Sequence, residues 1–351
     1  MSRLPGLFAA AVFGAAAIPL CAVLGPRGEA HAQNQNGSKP EPAPTIILAA
    51  PGTTYPEPGP PADPDALGRG VQRTMTLLAT SSPKQHNKVR ILFYGQSITE
   101  QDWSKQVAED LRRRFPHADL EIENRAIGGF ASQLLIRPAE HDLYPFYPDL
   151  VIFHVYGADN PYETIIRNIR SRTTSEVLIQ KDHATQWPPE TVDRTQDRGK
   201  WWDDYMNHVF LPATAKKYRC GLDDVRTGWV SYLKTNRYEP KQLLKDGVHL
   251  NDHGNFLMAR LVSRYLVYRP GLPKTDWQEL TRVTDVGKGG KEAAWKGSRL
   301  EMPFQGNRVD LILASGTAAK RVQVLIDGRK PGDLEGAYRI TRPTPNPWAG
   351  P

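Results

Sequence analysis

The stretch Val89-Arg90-Ile91-Leu92-Phe93-Tyr94-Gly95-Gln96-Ser97-Ile98-Thr99 is an apolar run that stops at a glycine and opens into a polar loop. Its branched and aromatic residues predict a strand over 89–94, with the chain turning at Gly95. Outward from it, the spacing predicts helices over 66–80 and 103–115. It predicts further strands over 119–124, 150–156 and 176–180, separated by segments long enough for crossover helices. Strands alternating with helices are the signature of an α/β domain with a parallel sheet. The run from Leu150 to Tyr156, apolar apart from His154, reads as a strand covered on both faces. A closing helix is expected near 253–268, where Phe256, Leu257, Leu261, Tyr265 and Leu266 share a face. Asn251 or Asp252 can cap its start.

The ends of the chain differ in character from this middle. Arg3 precedes an apolar run from Leu7 to Leu24, and Ala30-His31-Ala32 is a small-x-small site, so residues 1–32 read as a signal peptide cut near Gln33. A retained membrane anchor and lipid attachment through Cys21 are the alternatives. Pro19 weakens the first, and Pro19-Leu20 is a poor lipid-attachment box for the second. The expected destination is secreted or periplasmic, with no stable membrane insertion after cleavage. Residues 33–65 hold nine prolines among Gln, Asn, Gly and Ser, the composition of a flexible leader, although Thr45–Ala50 is apolar enough for an edge strand. The α/β domain is expected over 66–270. Beyond Pro270, Arg299–Phe304, Arg308–Ala314 and Arg321–Ile326 read as short strands, and Asp327-Gly328 as a turn. Residues 271–351 therefore suggest a partial β-sandwich-like module, incomplete in this sequence.

Composition excludes several classes. Cleavage removes Arg3, Arg27 and Glu29 and takes the formal charge from +7 to +6, yet the basic residues alternate with acids in helix-like segments. No aromatic-interleaved nucleic-acid module is present. Cys220 is the only cysteine after residue 32, so no internal disulfide is expected. No glycine-rich phosphate loop occurs, and no nucleotide or other cofactor is implied. His249 and His253 are four apart, but the residues between them lack the glutamate of a zinc hydrolase, so no metal is expected.

The chemistry-bearing residues lie in two short segments. Ser97 follows a strand at the sheet edge where α/β domains bind ligands, and backbone N–H groups at a helix start can stabilise a developing oxyanion there. A serine in that position is also an ordinary helix cap. Asp246-Gly247-Val248-His249 supplies what a serine needs to react, a base and a carboxylate that can reach back to orient it, with Gly247 permitting a tight turn.

Together these segments resemble the SGNH (GDSL-like) hydrolase family. Gly95-Gln96-Ser97 is similar to its first block, with Gln96 in place of the usual aspartate as in some carbohydrate acetylesterases of that superfamily. Asp246-x-x-His249 resembles the last block. Asn124-Arg125-Ala126-Ile127-Gly128-Gly129 is similar to the second block. The resemblance implies a three-layer α/β/α domain, a Ser97–His249–Asp246 triad, and an oxyanion hole from the N–H groups of Ser97 and Gly129. The third block departs from the family: Gly157-Ala158-Asp159-Asn160 carries its last two residues transposed. An ionised Asp159 cannot donate to an oxyanion, which leaves Asn160 as the side-chain donor or the hole to backbone groups alone. The resemblance thus implies a serine esterase acting on an acylated small molecule or polysaccharide, with an acetyl group favoured. A lipase or lysophospholipase of the same fold and a non-catalytic glycan-binding protein are the alternatives.

Other residues admit two readings. Asp182-His183 either lines the cleft or sits in a surface loop. Trp187, Trp201, Trp202 and Tyr205 either stack on sugar rings or, for Trp202 and Tyr205, pack in a helix core.

Overall fold

The computed structural model describes residues 8–13, 55–188, 198–272, 284, 286, 293–304 and 322–334. In chain order the strands are β1 (Phe8–Phe13), β2 (Lys88–Gly95), β3 (Asp119–Asn124), β4 (Leu150–His154), β5 (Glu176–Gln180), β6 (Gly221–Asp223), β7 (Ala294–Lys296), β8 (Arg299–Pro303) and β9 (Val322–Ile326). The helices are α1 (Gln72–Ala79), α2 (Asp102–Arg114), α3 (Ser132–Leu135), α4 (Ala139–Asp142), α5 (Asp159–Arg172), α6 (Arg198–Tyr205), α7 (Leu211–Tyr218), α8 (Val225–Asn236) and α9 (Asp252–Ser263).

The chain divides into two units. The larger, residues 28–278, holds a parallel five-stranded sheet in the order β3-β2-β4-β5-β6. Side chains of a strand alternate between its faces, and here both faces are covered. Ile91, Phe93, Ile152 and Leu178 pack with Met75 of α1, Trp103 of α2, Trp229 of α8 and Leu257 of α9. Leu92, Tyr94, Phe153 and Ile179 pack with Tyr162 and Ile166 of α5 and Leu211 of α7. This is the three-layer α/β/α domain expected, and double coverage is why β2, β4 and β5 carry apolar residues without alternation.

One expected element comes out differently, and one strand was not expected. The helix expected over 66–80 begins only at Gln72, because Gly68 and Gly70 adopt φ of +76° and break the path before it. A Cβ at Gly70 would collide with the backbone of Gly221, so the close approach of the β6 start requires glycine there. Val71 offers α1 no side-chain cap; the buried Glu176 carboxyl accepts instead from Arg73 N–H at 2.9 Å and Thr74 N–H at 2.8 Å. The Arg73 guanidinium in turn meets the buried Asp149 at 2.8 Å. The second difference is β6, too short to leave a sequence signal.

The last residues of the proline-rich leader lie against α9. The Tyr55 ring stacks on His253 with centroids 4.2 Å apart, Glu57 pairs with Arg260 at 2.5 Å, and the Pro58 carbonyl accepts from Arg264.

The smaller unit, residues 1–27 and 279–351, contains an antiparallel sheet in the order β7-β8-β1-β9. Residues 8–13, inside the expected signal segment, form its strand β1 and pair with β8 and β9. The Asp327-Gly328 turn has positive φ at both residues, 49° and 79°, as a two-residue hairpin turn requires. The strand expected over 308–314 lies outside the described residues. Among the described residues no helix is long and apolar enough to cross a membrane.

Candidate active site

The strand order sets β2 between β3 and β4, so the loops after β2 and β4 part at a topological switch point. Ser97 follows β2 there. Gly95 has no room for a side chain, since a Cβ would strike the His154 carbonyl and the Thr99 hydroxyl. Gln96 donates to the Tyr156 carbonyl at 2.9 Å. Asn124 Nδ2 donates to the Thr99 carbonyl at 2.6 Å and to Ser104 Oγ at 3.0 Å. The serine loop is therefore tied to both neighbouring strand ends.

His249 and Asp246 arrive on the turn before α9. Asp246 Oδ1 accepts from the N–H groups of Val248 at 2.8 Å and His249 at 2.7 Å, a local turn closed further by Lys245 N–H on the His249 carbonyl at 2.8 Å. Gly247, expected to permit the turn, does not adopt positive φ, and a Cβ there would touch nothing. The turn rests on the Asp246 side chain rather than on glycine. Asn251 then caps α9 by accepting from Gly254 N–H at 3.0 Å.

The structure brings these three side chains into line. His249 Nε2 lies 2.9 Å from Ser97 Oγ, and His249 Nδ1 lies 2.8 Å from Asp246 Oδ2. The His249 and Val248 N–H groups, and then the His249 ring, hold the Asp246 carboxyl down to about 2 although it is open to solvent. An ionised carboxylate on Nδ1 selects the tautomer whose Nε2 faces the serine hydroxyl as an acceptor.

For the oxyanion donors the picture is mixed. Glu100 Oε1 takes the Gly128 N–H at 2.8 Å, whereas neither Ser97 N–H nor Gly129 N–H has an acceptor among the described residues. Asp159 is turned away to accept from the Tyr205 hydroxyl at 2.8 Å. Asn160 is exposed in the first turn of α5, and its amide has no partner among the described residues. Beside Ser97 and His249 lies an open groove of about 760 Å³ bordered by Glu100, Asp102, Lys245 and Asp252.

Sequence reasoning missed two supports. Gln101 pairs with both backbone groups of Leu250, donating to its carbonyl and accepting from its N–H at 3.0 Å each. Asn255 Oδ1 accepts from Trp103 N–H at 3.0 Å. Both fasten the start of α2 to the segment after His249. His183 is neither a surface residue nor part of the groove wall: its side chain is fully buried. Trp202 packs on Tyr156 with centroids 5.3 Å apart and Tyr205 lies near Phe210, so both belong to the domain core, while Trp187 is exposed and donates to Glu239 at 2.8 Å. Among the described residues no group of three or more metal-ligating side chains is present.

No protein-family model matches the sequence, and no curated protein matches it. Among solved structures, the chain is similar to an alpha/beta hydrolase enzyme from the metagenome of Lake Arreo, Spain, with 19% identity over 51% of this chain and 94% of that one, at a TM-score of 0.43. It is also similar to an acetylxylan esterase from Geobacillus stearothermophilus, with 18% identity over 52% of this chain and 95% of the other, at a TM-score of 0.45.

Proposed function

We propose that this protein is an exported serine ester hydrolase that removes acyl groups, acetyl by preference, from a polysaccharide or a smaller acylated molecule. The observation that carries this reading is the continuous line Ser97 Oγ, His249 Nε2, His249 Nδ1, Asp246 Oδ2, with contacts of 2.9 and 2.8 Å. As Ser97 Oγ attacks the ester carbonyl, its proton passes to His249 Nε2, and Asp246 stabilises the imidazolium that forms. The N–H groups of Ser97 and Gly129, with the Asn160 amide, receive the negative charge on the carbonyl oxygen. His249 then protonates the departing alcohol, and a water molecule deprotonated by the same ring releases the acid from Ser97.

Two observations support a neutral acylated substrate over a lipid anion. The groove is large for an acetyl group and of a size to admit sugar units. Its border carries Glu100, Asp102 and Asp252 against Lys245, a balance that repels phosphate and free fatty acid head groups.

The test is hydrolysis of aryl esters of increasing chain length by the wild type and by Ser97→Ala. Rates should be highest for acetate and fall by at least about 10⁴-fold in the variant. Equal rates for the two proteins would refute the enzyme reading, and a preference for long chains would favour a lipase. Export is tested by N-terminal sequencing of the mature protein, which should begin at Gln33 and so lack β1; a mature chain that still begins at Met1 would refute cleavage and keep β1 between β8 and β9.

A further inference from the structure

The turn that carries Asp246 and His249 has almost no apolar packing. Val248 is 49% exposed, Asp246 is open to solvent, and an added methyl at Gly247 would touch nothing. Its position must therefore come from polar contacts to its backbone. One of these reaches up from the interior: His183 Nε2 lies 2.9 Å from the Val248 carbonyl, while its Nδ1 lies 2.7 Å from Asp182 Oδ1.

We propose that the pair of buried His183 and part-buried Asp182 is a positioning device that sets the height and angle of the His249 turn. The same carboxylate extends the connection to the serine loop. Asp182 Oδ1 also lies 3.2 Å from His154 Nε2, and His154 Nδ1 lies 3.2 Å from Thr99 Oγ1, two residues after Ser97. Thr99, His154, Asp182, His183 and Val248 thus form one chain of polar contacts beneath the site, joining the loop that holds the nucleophile to the turn that holds the base.

The proton inventory of this chain is fixed by its acceptors. A carbonyl oxygen only accepts. Burial pushes the Asp182 carboxyl upward, but the His183 and His154 rings outweigh burial and hold it well below the ordinary carboxylate range, so it too only accepts. The contact with the Val248 carbonyl therefore places a ring proton on His183 Nε2. Its surroundings keep it in place: Trp229 lies edge-on at 5.1 Å, and Arg226, itself paired with Asp203, donates to the His183 carbonyl at 3.2 Å. Asn207 accepts from Asp182 N–H at 2.9 Å.

The pair itself does not depend on the esterase reading, but its effect on turnover rests on that reading. Two measurements keep them apart. In the wild-type protein, nitrogen-resolved proton spectra should contain a slowly exchanging ring Nε2–H signal that disappears in His183→Phe. In aryl acetate hydrolysis, the same variant should lose on the order of 10- to 100-fold in kcat with KM nearly unchanged, because the substrate groove is intact and only the base is displaced. Absence of that Nε2–H signal, or a folded His183→Phe protein with wild-type kcat, would overturn the proposal. Full activity in Ser97→Ala would instead overturn the esterase reading and leave the Nε2–H signal as the deciding measurement.

Discussion

A serine hydroxyl keeps its proton near neutral pH, so the reactivity proposed for Ser97 depends on how His249 is oriented and held. Asp246 does the orienting through Nδ1. Its carboxyl is depressed in the folded protein, so the support it gives is fully present above the ordinary carboxylate range and is lost only as pH falls towards about 2. Activity lost at mildly acidic pH should accordingly not follow the titration of Asp246. Asp246→Asn should lower kcat by on the order of 10³- to 10⁴-fold across about pH 5 to 8, since an amide favours the wrong tautomer; a pH–rate profile of the variant checks this. Asn160→Ala should cost about 10²-fold or more in kcat with little change in KM if its amide meets the oxyanion, and a wild-type kcat would leave the hole to backbone groups alone. The segments bearing Ser97, Asp246 and His249 were legible because each carries its chemistry within a few residues of sequence. Gln101 and His183 were not, because their partners are the backbone atoms of Leu250 and Val248, and a carbonyl contact leaves no mark on residue type.

Among the elements, β2, β4 and β5 were legible because burial on both faces demands unbroken apolar runs, whereas β6 has three residues and its last one is a buried acid. Burial, followed by the neighbouring Asp224, raises the Asp223 carboxyl well above its ordinary range, with Lys181 opposing. Neither of its oxygens has a hydrogen-bond partner among the described residues. For an acid whose folded value is raised, the associated stability is present at low pH and is lost as pH rises towards that value. Asp223→Asn should therefore gain about 1–3 kcal/mol at alkaline pH and much less at acidic pH, read from urea midpoints at the two conditions. At the other end of the sheet, Glu176 does the capping that Val71 cannot, so Glu176→Ala should cost about 1–3 kcal/mol in the same assay. No sequence pattern near α1 announced this cap, because the carboxyl comes from β5, far along the chain.

At the level of the whole molecule, every contact of the candidate site falls between residues 95 and 255, within the larger unit. The parallel sheet with helices on both faces was readable from the sequence, since alternating elements leave strong signals. The contact of Tyr55, Glu57 and Pro58 with α9 was not, because single residues in a proline-rich stretch show no periodicity. That contact joins positions some two hundred residues apart, and its receiving surface exists only once α9 has been laid on the sheet. The tail should then latch on late, after the rate-limiting barrier. Replacing Tyr55 by alanine should hasten unfolding while leaving the refolding rate unaltered, as stopped-flow traces of both directions can resolve. A nascent chain would keep its leader free until α9 had docked, so the latch reports that the α/β domain is assembled.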